Sequence, residues 1–141
     1  MRREKVVPSS VDEVWRVISD PERLPDWWPG VTRVEDASAV AWTTVLTSAK
    51  GKAVRADYTR VTASEPERLV WRQELEATQF ERILVEATTS LELASEDGAT
   101  RVVLELDQKP RGWARFAPLQ FRAAGRRQVE GALEGLERLF A

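Results

Sequence analysis

The sequence predicts an α+β protein in two layers. A curved antiparallel sheet of about six to seven strands wraps around one long C-terminal helix, with two short helices after the first strand. Three observations carry this. From residue 31 to 109 apolar residues recur with a period of two, in segments separated by turn residues. The last stretch repeats Val129, Ala132, Leu133, Leu136, Leu139 and Phe140 at steps of three and four, with Glu130, Glu134, Glu137 and Arg138 between them. A helix of this kind is marginal alone in water, so its apolar face needs the sheet. Strands of about ten residues are too many for one helix to cover flat, which requires the sheet to curl.

The elements follow in order. Arg3 to Val7 forms a first strand stopped by Pro8. Ser10 with Glu13 three residues on has the spacing of a helix-capping box, and Val11, Val14, Trp15 and Ile18 follow at helical steps. Residues 21–28, PERLPDWW, read as a second short helix or a pair of turns, closed by Pro29-Gly30. Strands are then expected at 31–35, 42–47, 54–62, 69–75, 83–93 and 102–107. Lys50-Gly51-Lys52 and Glu96-Asp97-Gly98 supply hairpin turns. The clearest alternation sets Leu69, Trp71, Gln73 and Leu75 against Arg72, Glu74 and Glu76. The final helix is expected over Trp113–Ala141, with a break or kink near Pro118.

A chain of 141 residues forms one domain, residues 1–141, large enough to bury about 70% of its unfolded surface. A net charge of −2 offers no electrostatic footprint for nucleic acid. Neither histidine nor cysteine is present. That excludes Ser-His-Asp and Cys-His nucleophile systems, HExxH zinc sites and disulfides. The start, MRREK, has no secretory pattern, and no apolar run approaches the ~20 residues of a membrane span. A cytoplasmic location and no stable membrane insertion are the expectations.

The segment Val11-Asp12-Glu13-Val14-Trp15, followed by Ile18-Ser19-Asp20-Pro21-Glu22-Arg23-Leu24-Pro25-Asp26-Trp27-Trp28, resembles the opening of the START-like or SRPBCC superfamily. Glu65-Pro66-Glu67-Arg68-Leu69-Val70-Trp71 is similar to its usual strand turn, and Asp97-Gly98-Ala99-Thr100-Arg101-Val102 to one of its hairpins. The resemblance implies a helix-grip fold, in which the sheet grips the last helix over a hydrophobic cavity. Its members include lipid-transfer domains and polyketide aromatase/cyclases, and the fold by itself does not fix function.

No catalytic residue, cofactor or metal site is assigned. Carboxylates such as Glu74 and Glu76 alternate outward. The candidate cavity residues are Tyr58, Trp71, Gln73, Leu75, Ala87, Thr89, Leu104, Phe116, Leu119 and Phe121. Trp71 suits core and ligand platform alike. Gln73 and Thr89 are polar groups on otherwise apolar faces and need partners. Tyr58 stands beside the small Ala56 and Val54. Trp27 and Trp28 cannot both face the core, since neighbours on a helix point about 100° apart. One of them plugs the junction, and the other joins Trp113 and Phe116 at a cavity mouth. Arg122, Arg126 and Arg127 read as a solvated face. The helix before Gly125 is expected to act as a lid and the part after it as core.

The expected partner is a small hydrophobic molecule, and the expected state a monomer or weak homodimer. Two other functions stay open: a cyclase or dehydratase using Tyr58 or a buried carboxylate, and a partner-regulating module with an exposed apolar patch.

Overall fold

The computed structural model describes residues 1–48 and 50–141, and every side chain among them except that of Trp113. The strands are β1 (Arg2–Val7), β2 (Val31–Glu35), β3 (Ala41–Thr47), β4 (Ala53–Ser64), β5 (Arg68–Glu74), β6 (Leu84–Glu96) and β7 (Ala99–Pro110). The helices are α1 (Val11–Ile18), α2 (Leu24–Trp27) and α3 (Pro118–Leu139). Single 3₁₀ turns lie at Pro21–Arg23, Gln79–Arg82 and Gly112–Phe116. All strands join one curved antiparallel sheet in the order β1-β7-β6-β5-β4-β3-β2. This is the helix-grip arrangement that the sequence implies.

Local chemistry explains the boundaries. Ser10 caps α1 by accepting a hydrogen bond from the Glu13 N–H at 3.3 Å. The capping box is only half formed, because the Glu13 carboxylate takes its bond from the Ser9 hydroxyl instead. Asp97 (φ 50°) and Gly98 (φ 83°) both adopt the left-handed conformation that a tight two-residue hairpin requires between β6 and β7. The long final helix expected from Trp113 is corrected at its start. Pro118 opens α3 at its first turn, where the missing N–H costs nothing, and the preceding residues form the 3₁₀ turn.

The core lies between the concave face of the sheet and the helices. Leu69, Leu91, Val102 and Leu104 from the sheet meet Val129, Ala132, Leu133 and Leu136 from α3, and Val14, Trp15 and Ile18 from α1. The second half of α3 is tied to β1 by ion pairs Arg3–Glu130 and Lys5–Glu137, both at 3.6 Å. Both pairs are exposed, so they contribute little beyond orientation. On its other side α3 meets α2 and the turn after it. A Cβ on Gly131 would stand 2.6 Å from Cγ of Pro29, and one on Gly135 would overlap the Trp27 carbonyl. Among the described residues, no helix is long and apolar enough to cross a membrane.

Arg60 on β4 joins the sheet to the end of α1. Its guanidinium donates to the Ser19 carbonyl, placing a cation at a helix C-terminus. Its Nε is buried with no hydrogen-bond partner, and burial pushes its pKa down from the ordinary value. Arg60→Met is expected to destabilise the fold by about 1–2 kcal/mol, the size of one lost charge-assisted bond less the relief of desolvation. Urea denaturation measures this, and an unchanged midpoint would show that the contact contributes nothing.

Candidate functional site

The sheet is wider than α3, and the helix covers its two ends differently. Beyond Gly125 the helix lies on the sheet through Val129, Ala132, Leu133 and Leu136, all buried. Toward its start, Phe121, Ala124, Gly125 and Gln128 instead border a cavity of about 260 Å³. That volume sits just under the roughly 300–1,000 Å³ of typical ligand pockets.

Strand register builds the floor. Trp42 on β3 pairs with Tyr58 on β4, which pairs with Gln73 on β5. One row further on, Trp71 on β5 pairs with Thr89 on β6, and Thr89 with Leu106 on β7. Since side chains alternate, both rows point to the concave face. All six residues line the cavity, as do Ala56, Ala87 and Gln108. The small side chains of Ala56 and Ala87 are where the floor recedes.

One wall is aromatic. Trp42 stacks on Tyr58 with centroids 6.0 Å apart, and stands edge-on to Trp71 at 5.7 Å. Trp28 meets Trp71 edge-on at 6.0 Å and Trp27 at 5.4 Å. Such pairs fix ring positions and present flat, polarisable surface to the interior.

The polar lining is entirely neutral: Thr44, Tyr58, Gln73, Thr89, Gln108 and Gln128, with no Asp, Glu, Lys or Arg among the described lining residues. Thr44 donates to the Ala56 carbonyl at 3.3 Å. Gln73 and Thr89 are buried at 9% and 4% exposure, so their polar groups have the cavity as their nearest open space.

Burial pushes the Tyr58 phenol from an ordinary 10.0 up to about 12, against a smaller opposing effect of its hydrogen bond with Thr44. The phenol is therefore protonated throughout the neutral range. The chain contains one tyrosine, so the ultraviolet signal of tyrosinate reads this group alone. Its titration midpoint is expected near 12 rather than 10. Because the folded protein holds this proton while the unfolded chain loses it, stability is expected to fall as pH rises from the unfolded to the folded value. A midpoint at the ordinary value would show that solvent reaches the phenol freely.

Of the ten candidate residues, the structure brings Tyr58, Trp71, Gln73, Ala87, Thr89 and Phe121 to the cavity lining. The other four lie elsewhere. Leu104 faces inward but is fully buried under the helices, at the filled end of the sheet. Leu75 follows the end of β5 and packs behind the cavity wall, against Leu84 and Ala87, which themselves line it. Phe116 and Leu119 are 82% and 77% exposed. Both Leu119 and Phe121 lie within α3, so Leu119 stands about 200° around the helix from Phe121 and points away from the sheet. Phe116 sits in the 3₁₀ turn, with the Arg115 guanidinium 5.8 Å from its ring centre.

Trp27 is buried at 3% exposure against α3, while Trp28 is half-buried and lines the cavity. The side chain of Trp113, expected at the mouth, lies outside the described set. Sequence reasoning left Trp42, Thr44, Gln108 and Gln128 unassigned. Trp42 and Thr44 share one face two residues apart on β3, and Gln108 continues the inward series of Leu104 and Leu106. That periodicity is the signal that could have found these three; Gln128 lies on α3, three residues past Gly125.

A START-like helix-grip fold enclosing an aromatic, uncharged cavity is thus the class of protein that the structure defines. The family model for polyketide cyclase/dehydrase and lipid transport matches residues 1–141, and the chain belongs to that family. No curated protein matches the sequence. Solved structures share the fold. A Thermus thermophilus protein is 22% identical, with a TM-score of 0.77 over 98% of this chain and 94% of that one. The Zhui aromatase/cyclase from a Streptomyces species is 17% identical, with a TM-score of 0.78 over 97% and 90%. A START superfamily protein from Mycobacterium smegmatis is 14% identical, with a TM-score of 0.75 over 99% and 95%. At these identities the likeness establishes the fold.

Proposed function

We propose that this protein, acting as a single cytoplasmic domain, encloses a small apolar or amphipathic molecule in the cavity between the sheet and the first half of α3. The observation that carries the reading is the lining itself. Aromatic and aliphatic walls surround a few neutral hydrogen-bonding groups, which is how small-molecule pockets are usually lined. The volume favours a compact ring system or short chain over a two-chain lipid. Tyr58, Gln73 and Thr89 would hydrogen-bond a neutral polar group on the body of such a molecule, and Trp28, Trp42 and Trp71 would pack its flat surface.

The test uses the tryptophans of the lining as donors. A neutral naphthylamine probe should bind with energy transfer from tryptophan and be displaced by small apolar competitors. A folded protein that binds no apolar probe would remove the proposal.

A second reading, cyclase or dehydratase chemistry, is favoured by one observation, the Tyr58 phenol inside the cavity. Held protonated, it can donate to a carbonyl or a developing enolate but is a poor base. Under this reading Tyr58→Phe would abolish turnover of a polyketide-like substrate while leaving its binding nearly intact. Under the binding reading Tyr58→Phe changes affinity only.

A further inference from the structure

A second cavity, of about 350 Å³, adjoins the first. The two share Leu106, Gln108, Phe121 and Gly125, so Phe121 stands on the boundary between them. Their electrostatics differ completely. The first chamber has no charged side chain, whereas Arg115 and Arg122 line the second; Asp107 borders it too, but alternation turns its side chain to the opposite face of β7 from Leu106 and Gln108.

Charge along the surrounding segment is equally one-sided. From Lys109 to Arg127 the chain carries Lys109, Arg111, Arg115, Arg122, Arg126 and Arg127 and no carboxylate, within a protein whose net charge is −2. Among the described residues, none of these six cations takes part in an ion pair. The pairs involve Arg3, Lys5, Arg23, Arg33, Arg55, Arg68, Arg72 and Arg101.

We infer that the second chamber is an anion subsite, and that the enclosed molecule is a small amphipathic anion with its apolar body in the first chamber and its acidic head at Arg115 and Arg122. This rests on the proposed binding function and adds the chemical class of the ligand. An anionic head in the uncharged chamber would exchange its hydration for neutral donors alone, with no counter-charge beside it. A guanidinium offers a carboxylate paired, charge-assisted hydrogen bonds where the chamber opens to solvent. Phe121, reaching both spaces, packs against the junction between head and body.

Matched ligands test this: naphthylacetate and its neutral isostere naphthylacetamide, titrated calorimetrically at low and high salt. The native protein should bind the anion about tenfold more tightly than the amide at low salt, as one or two charge-assisted bonds imply, with the preference shrinking as salt rises. The double variant Arg115→Gln/Arg122→Gln should lose the preference and keep its affinity for the amide. Arg127→Gln, outside both chambers, should leave it unchanged. The substituted residues are exposed, so folding is not at stake. Equal binding of the two ligands, or a preference that survives in the double variant, would overturn the anion subsite and leave the binding function standing. If neither ligand nor the neutral naphthylamine probe binds, both fall together.

Discussion

Replacing Gly135 by alanine is expected to destabilise the protein by about 2–3 kcal/mol, although alanine is the better helix former by about 1 kcal/mol. A Cβ at this position would lie 3.0 Å from Cα and C of Trp27 and closer still to its carbonyl oxygen. Those are backbone atoms, and no rotamer change relieves the overlap. Either α2 moves off α3, opening the core around Trp27 and Leu136, or α3 shifts along the sheet. Gly131→Ala is the control. Its Cβ would meet only the ring of Pro29, with Cγ at 2.6 Å, and a ring can pucker away. The expected order of urea midpoints is therefore native, Gly131→Ala, then Gly135→Ala well below. A Gly135→Ala protein as stable as the native one would mean that α2 does not rest on α3.

Filling the floor of the cavity should have the opposite pattern, with binding lost and stability kept. Ala56 is 2% exposed, pairs with Thr44 across β3 and β4, and lies where the floor recedes beside Tyr58. Ala56→Leu places three more carbons into empty space. Each buried carbon contributes up to about 0.8 kcal/mol, so stability should hold or rise. A ligand competing for that space would meet an overlap of about 1–3 kcal/mol, or roughly a tenfold to hundredfold loss of affinity. Energy transfer from tryptophan to a bound naphthylamine reads the binding, and urea denaturation reads the stability. Unchanged affinity in a folded Ala56→Leu protein would place the ligand elsewhere.

Much of this architecture is legible in the sequence because its strands are one-sided. The alternation of Leu69, Trp71 and Gln73 assigns their face, and the observed strand β5 keeps it. The capping serine of α1 and the Asp97-Gly98 turn are local chemistry and need no tertiary knowledge. What alternation cannot say is which part of an inward face is covered. Leu104 and Leu106 are equivalent in the pattern, yet one is buried under the helices and the other borders the cavity. That difference is set by where α3 leaves the sheet. Leu119 and Phe121 show the same limit on the helix. Both are large and apolar, but Phe121 continues the stripe of Gly125, Val129, Ala132 and Leu136 while Leu119 stands off it, a phase that holds only because the helix runs unbroken from Pro118. Trp42 lacks a clear pattern because its strand is short and rich in threonine, and its role depends on rings from β4 and β5.

The pairing of β1 has a consequence for how the fold is reached. Arg2 pairs with Glu105 and Val7 with Thr100, so the earliest strand has no neighbour until nearly the whole sheet has been synthesised. The hairpins from β2 to β7 close over short loops and can form early, whereas β1 and α3 must close the longest loop in the chain. Pairings that distant slow folding. The cavity is bounded by α3, whose apolar face packs on the sheet through Val129, Ala132, Leu133 and Leu136 beside β1, so the chamber is complete only once these elements have docked. Before that moment the chain presents an open aromatic trough rather than an enclosed site. A ligand that binds only the closed form would stabilise it by mass action and act as a thermodynamic clasp on the final step of assembly.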